Sequence, residues 1–122
     1  GAGPFNGPLY NLDFAQGVSY EIDLARPAGE RIVNLRRNGE ALDLNSKLTL
    51  AINSYRWSGG GEFEMLRHAK AVKRVDRQVR DLIAEMLLRE KTVNATADDN
   101  WRILPDEAAQ ALREFVAQPR RR

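Results

Sequence analysis

The chain opens without a hydrophobic period. Gly1, Gly3, Pro4, Gly7, Pro8 and Gly17 punctuate the first residues, and such punctuation stops a regular element from propagating. Leu9, Tyr10, Leu12 and Phe14 are the apolar positions of this loop, and they are expected to pin it to a surface. Strict alternation follows: Val18, Tyr20, Ile22 and Leu24 are apolar, whereas Ser19, Glu21 and Asp23 are polar. A period of two in strand-forming residues predicts a half-buried strand over 17–25. Arg26-Pro27-Ala28-Gly29 turns the chain, and residues 30–37, with Ile32, Val33 and Leu35, predict a second strand. Asn38-Gly39 is a tight-turn signal because both residues tolerate positive φ. Leu42 and Leu44 belong to a short connection. Residues 47–55 alternate again, with Leu48, Leu50 and Ile52 against Thr49, Ala51, Asn53 and Tyr55, which predicts a third strand.

The period changes after the three glycines Gly59, Gly60 and Gly61. Residues 62–69 read as a short helix or a turn. From 71 to about 91 the apolar positions Val72, Val75, Val79, Leu82, Ile83, Met86 and Leu87 recur at spacings of three and four. That spacing predicts one long amphipathic helix whose apolar stripe faces a core. Asp81 lies four residues from Arg77 and Glu85 four from Arg89, so both carboxylates are expected in helix-surface pairs. Residues 92–100 are a polar connection and Trp101, Ile103 and Leu104 a short apolar patch. Pro105 opens a last helix over about 106–117, striped by Ala108, Ala111, Leu112, Phe115 and Val116, and Pro119 ends it. Strands first and helices afterwards give the α+β class: a mainly antiparallel sheet of three or more strands with helices packed on one face.

Composition narrows the function classes. One domain fits 122 residues. No run of about 18 apolar residues occurs, which excludes an apolar spanning helix, and no basic-then-apolar leader opens the sequence. The net charge of +2 rests on Arg120, Arg121 and Arg122. The tail reads as a disordered end, so no basic face suited to tracking a polymeric nucleic acid is expected. The chain has no cysteine, which excludes disulfides, thiolate zinc sites and cysteine nucleophiles, and is compatible with the cytosol or a bacterial periplasm. The single histidine, His68, reads as a surface or helix-end residue, because a metal site draws on several ligands of the right type.

No acid/base pair, Ser-His-Asp arrangement or phosphate-binding glycine motif stands out. The strongest candidate is Asn53-Ser54-Tyr55-Arg56-Trp57-Ser58-Gly59-Gly60-Gly61. It sets aromatic and amide side chains at a strand end before a glycine turn. Such a turn can bring backbone N–H groups to a ligand, and an aromatic face can stack on a base. Equally, the glycines can simply turn the chain, and Tyr55 and Trp57 can serve as core or rim packing. Trp101 with Arg102 is expected to pack the C-terminal segment onto the sheet, with the guanidinium over a ring. Asp98 and Asp99 read as solvated charges or a turn.

A resemblance adds to this reading. Gly17-Val18-Ser19-Tyr20-Glu21-Ile22-Asp23, Glu30-Arg31-Ile32, Asn38-Gly39-Glu40-Ala41-Leu42-Asp43 and Asn53-Ser54-Tyr55-Arg56 with Gly59-Gly60 follow one another as in the C-terminal domain of the 5′-nucleotidase family. Tyr10-Asn11-Leu12-Asp13, Val93-Asn94 and Asp99-Asn100-Trp101-Arg102 resemble the branch of periplasmic 2′,3′-cyclic-nucleotide 2′-phosphodiesterase/3′-nucleotidases. The resemblance covers about residues 10–104 and rests on order and spacing together. It implies a loop segment over 1–16, part of a nucleoside-binding domain over 17–104, and a helix with a basic tail over 105–122.

In that family a catalytic metallophosphoesterase domain holding two divalent metals comes first in the chain. The C-terminal domain grips the nucleoside, and an aromatic of the strand-end loop stacks on the base. Tyr55 matches that aromatic, and Asn53, Arg56, Gly59 and Gly60 complete the substrate-binding set that the resemblance implies. Many members carry an acidic residue directly after the glycine pair, whereas this chain has Gly61 there and Glu62 one later. The family's metal ligands and the earlier strands that carry a second aromatic and substrate arginines have no counterpart, so a fragment is expected, located with its family in the periplasm or outside the cell. It would recognise a nucleoside or nucleotide, without catalysing hydrolysis by itself. The alternative is a non-catalytic module that binds a protein or its own copy through an open sheet edge.

Overall fold

Residues 12–117 are described by the computed structural model. Leu9, Tyr10, Asn11, Pro119 and the arginines Arg120, Arg121 and Arg122 lie outside the described residues. The chain divides into two units: one joins the chain up to Ser46 with the chain from Asp98 onward, and the other is Lys47–Ala97.

The first unit holds the sheet. Strand β1 is Ser19–Asp23, β2 Ile32–Arg37, β3 Glu40–Ala41 and β4 Trp101–Leu104, in the order β3-β2-β1-β4. The alternating segments at 17–25 and 30–37 become β1 and β2, paired antiparallel with Ile22 opposite Ile32 and Ser19 opposite Arg36. The register slips between those pairs, and Asn34 takes up the extra residue in a left-handed conformation, φ 51°. Asn38 and Gly39, φ 52° and 84°, make the hairpin turn to β3. Two consecutive positive φ angles are what the right-handed twist of a hairpin asks of a two-residue turn.

Strand β4 runs parallel to β1, with Tyr20 opposite Trp101 and Ile22 opposite Ile103. The sheet is therefore mixed, and the α+β class stands. The patch at 101–104 is a strand because residues from far along the sequence find the free edge of β1. Asn100 fastens this crossover: its Nδ2 donates to the carbonyls of Ala15, 2.8 Å, and Val18, 2.9 Å. The Tyr20 hydroxyl accepts the Ala15 N–H at 3.2 Å. Tyr20 and Ile103, 8% and 9% exposed, are the buried apolar side chains among the described residues. The sequence expectation of Arg102 over the Trp101 ring is not met: Trp101 stacks on Phe14, centroids 4.4 Å apart. Arg102 instead reaches Glu21, its neighbour across the β1–β4 ladder, with Nε 2.6 Å from Oε1. Helix α3, Asp106–Ala117, packs against β4 with Ala108, Ala109 and Leu112 half-buried, while Ala111, Phe115 and Val116 stay exposed. The Pro105 carbonyl accepts the N–H groups of Ala108 and Ala109 in the first turn of α3.

The second unit departs most from the sequence reading. Residues 47–53 form no strand, and a four-residue helix α1, Ser54–Trp57, stands where the third strand should end. Alternation is only half of a strand; the other half is a partner edge for the ladder, and none pairs with 47–53 among the described residues. Residues 64–68 make a 3-10 turn, one of the two forms expected there. His68 is exposed at its end. The long helix is shorter than its period, α2 spanning Val79–Glu90, and residues 69–78 are not helical. Val72 and Val75 are β-branched and exposed, so neither intrinsic preference nor packing extends the helix through them. The stripe expected to be core is exposed along its whole length. Its surface ion pairs also differ from those expected: Arg77 meets Glu85, Arg80 meets Asp81 at 3.5 Å and Arg89 meets Glu90 at 2.9 Å.

Two outcomes follow for the sheet. Ile103→Ala should lower unfolding free energy by about 2–5 kcal/mol, read as a shift in urea midpoint, since it empties half of the buried core. The Glu21 carboxyl is held below the usual carboxylate range by the hydrogen bond from Asn34 and then by Arg102. Stability from this cluster is complete above the ordinary glutamate range and is lost as pH falls through the lowered folded value. Glu21→Gln should therefore flatten the loss of urea midpoint between roughly pH 5 and pH 3; an unchanged slope would remove Glu21 from acid unfolding.

Candidate functional site

The candidate loop is built by a helix too short to stand on its own hydrogen bonds. Asn53 caps α1: its backbone is extended, and its Oδ1 accepts the Arg56 N–H at 2.8 Å. The Asn53 and Ser54 carbonyls accept the N–H groups of Trp57, 3.1 Å, and Ser58, 3.0 Å. The chain then closes on itself through glycine. Gly59 N–H donates to the Arg56 carbonyl at 3.0 Å, and Gly60 N–H to the Tyr55 carbonyl at 2.9 Å. These donors, expected to point at a ligand, are spent on capping α1. Gly59 has φ +86°, a left-handed conformation that favours glycine, and a Cβ there would also displace the Arg67 side chain, whose Nε would lie 2.6 Å away.

Arg56 is the buried centre of the loop, 8% exposed. Its Nη1 donates to the Gly60 carbonyl at 3.0 Å. Its guanidinium lies 4.7 Å from the Phe63 ring centroid and 5.4 Å from that of Tyr55. A buried guanidinium is tolerable when carbonyls and ring faces replace its water. Tyr55 itself is 57% exposed. Its ring lies directly against Gly60, where an added Cβ would come within 2.5 Å of Cε2. The ring thus rests against glycine backbone and has the Arg56 guanidinium beside it, while the residue as a whole stays exposed.

Three residues absent from the sequence-derived set hold the loop. Phe63 covers Arg56. Arg67 Nε donates to the Ser58 carbonyl at 2.6 Å, and its guanidinium pairs with Glu64 at 3.0 Å. Arg74 places its guanidinium 4.6 Å from the centroid of Trp57. The one signal for them in the sequence is Phe63 two residues beyond the glycines; the arginines fall into place only when the chain folds back. Tyr55, Asn53, Arg56, Gly59 and Gly60 are all brought into this one loop, and Asn53, Gly59 and Gly60 bond to the loop's own backbone, as does Arg56 through Gly60. Among the described residues no group of three or more His, Cys, Asp or Glu side chains is placed to hold a metal ion.

This fold and loop have known relatives. Residues 2–68 match the 5′-nucleotidase, C-terminal domain family, and the chain belongs to it. A trifunctional nucleotide phosphoesterase protein of Bacillus subtilis is 33% identical over 108 residues, covering 79% of this chain and 7% of that protein. A 2′,3′-cyclic-nucleotide 2′-phosphodiesterase/3′-nucleotidase of Haemophilus influenzae is 33% identical over 112 residues, covering 79% of this chain and 17% of that protein. A crystal structure described as a 5′-nucleotidase from Staphylococcus aureus in complex with α-ketoglutarate superposes with TM-score 0.65 at 31% identity. That match covers 71% of this chain and 17% of the other. The chain thus spans less than a fifth of the length of these relatives.

The loop's parts should separate on substitution. Asn53→Ala should destabilise by about 0.5–2 kcal/mol, the usual worth of an N-cap, in a urea titration followed by Trp57 fluorescence. Gly60→Ala, at a glycine without positive φ, should instead turn the Tyr55 ring aside at little cost in stability. The check is loss of nuclear Overhauser contacts between that ring and residue 60.

Proposed function

We propose that this chain is the nucleoside-recognising part of a nucleotide phosphohydrolase, with hydrolysis assigned to polypeptide outside it. The observation that carries this reading is the Tyr55 ring, exposed while held against Gly60 and the Arg56 guanidinium. An aromatic held this way loses little freedom when a base stacks on it, so most of the stacking energy remains available to binding. Tyr55 is assigned the contact with the base. Asn53, Arg56, Gly59 and Gly60 are assigned the support that holds the ring and shapes its surroundings. A nucleoside or nucleotide is the proposed ligand, on the strength of the phosphoesterase and nucleotidase relatives. The partner is a metallophosphoesterase domain with its two divalent metals, and the periplasm or the extracellular space is the proposed location, both carried over from the family resemblance.

The test uses the Haemophilus influenzae relative with its matched segment replaced by this whole chain. Tyr55→Ala in that chimera should weaken substrate binding by about 1–3 kcal/mol, the worth of one base–aromatic stack. Tyr55→Phe should retain most of the affinity, because the ring and not the hydroxyl is invoked. KM values unchanged by Tyr55→Ala across several nucleotides would overturn the assignment.

A further inference from the structure

The second unit gathers positive charge beside the candidate loop. Between Glu64 and Asp76 the sequence carries Arg67, Lys70, Lys73 and Arg74 and no acidic residue. The fold lays this run along α1 at three points. Arg67 Nε donates to the Ser58 carbonyl at 2.6 Å, Trp57 Nε1 donates to the Ala69 carbonyl at 3.5 Å, and the Arg74 guanidinium lies 4.6 Å from the Trp57 ring centroid. Lys70 adjoins the second of these contacts and Lys73 the third. Arg67, Lys70, Lys73 and Arg74 are all exposed. Glu64 neutralises Arg67, but among the described residues no ion pair takes Lys70, Lys73 or Arg74. Asp76, two residues beyond Arg74, pairs with none of them.

Three like charges within five residues repel one another, and an anion set among them relieves that repulsion. Arg74 is the best prepared of the three. The Trp57 ring fixes its place, while no hydrogen bond takes its N–H donors among the described residues. A guanidinium fork of this kind matches the oxygens of a phosphate. We propose that Lys70, Lys73 and Arg74 hold the phosphate of a nucleotide whose base stacks on Tyr55, so that this chain binds a nucleotide in preference to its nucleoside. Tyr55 and Trp57 belong to the same helical turn, α1, so the ring assigned to the base and the ring that carries Arg74 stand on one element. Three cations in one short run suit a single phosphate group and not the backbone of a polymer, which takes many such contacts. The inference rests on the nucleoside-recognition reading and adds the anionic half of the ligand.

Calorimetric titration of the whole chain with adenosine 3′-monophosphate, adenosine and inorganic phosphate tests it. The nucleotide should bind at least ~10-fold more tightly than the nucleoside, about the worth of one charge-assisted hydrogen bond. Raising the ionic strength should narrow that ratio and leave the affinity for adenosine unchanged. Lys70→Gln, Lys73→Gln and Arg74→Gln should each narrow it as well. Lys91→Gln, at an exposed cation that closes α2, should not. Equal affinities for nucleotide and nucleoside overturn the proposal, as does a ratio that survives all three substitutions or a nucleotide that fails to bind at millimolar concentration. Inorganic phosphate that binds as tightly as the nucleotide also overturns it, since that marks an anion site separate from the ring. Tyr55→Ala should weaken nucleotide and nucleoside alike and preserve their ratio. Should it change neither affinity, the Tyr55 assignment fails while the phosphate contact is still judged by the ratio, so the two readings fail separately.

Discussion

The pairing of β4 with β1 is the interaction on which the sheet unit depends. It joins residues about eighty positions apart, and loop closure over that length must be offset at the point of contact. Three contributions meet there. Asn100 ties the incoming strand to the Ala15 and Val18 carbonyls. Tyr20 and Ile103 are buried across the new ladder. On the polar side, Glu21 collects Arg102 from β4 and Asn34 from β2, so a single carboxylate spans three strands. Without β4 the remainder would be a hairpin with a two-residue third strand, a size that is marginal in water.

The candidate loop rests on a different economy. Among the described residues its contacts include short-range bonds and the more distant Arg74. Asn53 caps α1, the glycines close it, and Arg56 ties the closing turn to Phe63 and Tyr55. Because the loop satisfies its own donors, it is formed before any ligand arrives, and the group it leaves to the outside is an aromatic surface. A preformed stacking surface suits recognition of a flat, apolar-faced ligand more than it suits acid/base chemistry, for which no paired groups converge here.

Sparse burial unites the two units. The apolar stripe of α2 and the exposed Phe115 and Val116 of α3 have helical periods that ask for a covering layer. The Bacillus subtilis and Haemophilus influenzae relatives are several times longer than this chain.

Local signals in the sequence determined β1, β2, the Asn38-Gly39 turn, α3 and the gathering of Asn53, Tyr55, Arg56, Gly59 and Gly60 in one loop. Each of these arises from neighbours within a few residues: alternation, positive-φ tolerance, capping and helical spacing. The same local rules misread residues 47–55 as a strand and Val72 and Val75 as helix, because a strand needs a partner edge and an amphipathic helix needs a surface to cover. Tertiary structure alone decided that 101–104 would be a parallel strand, that Arg102 would choose Glu21 over Trp101, and that the glycine N–H groups would cap α1. Those outcomes depend on which groups arrive at the same place, and proximity across eighty residues leaves no period in the chain.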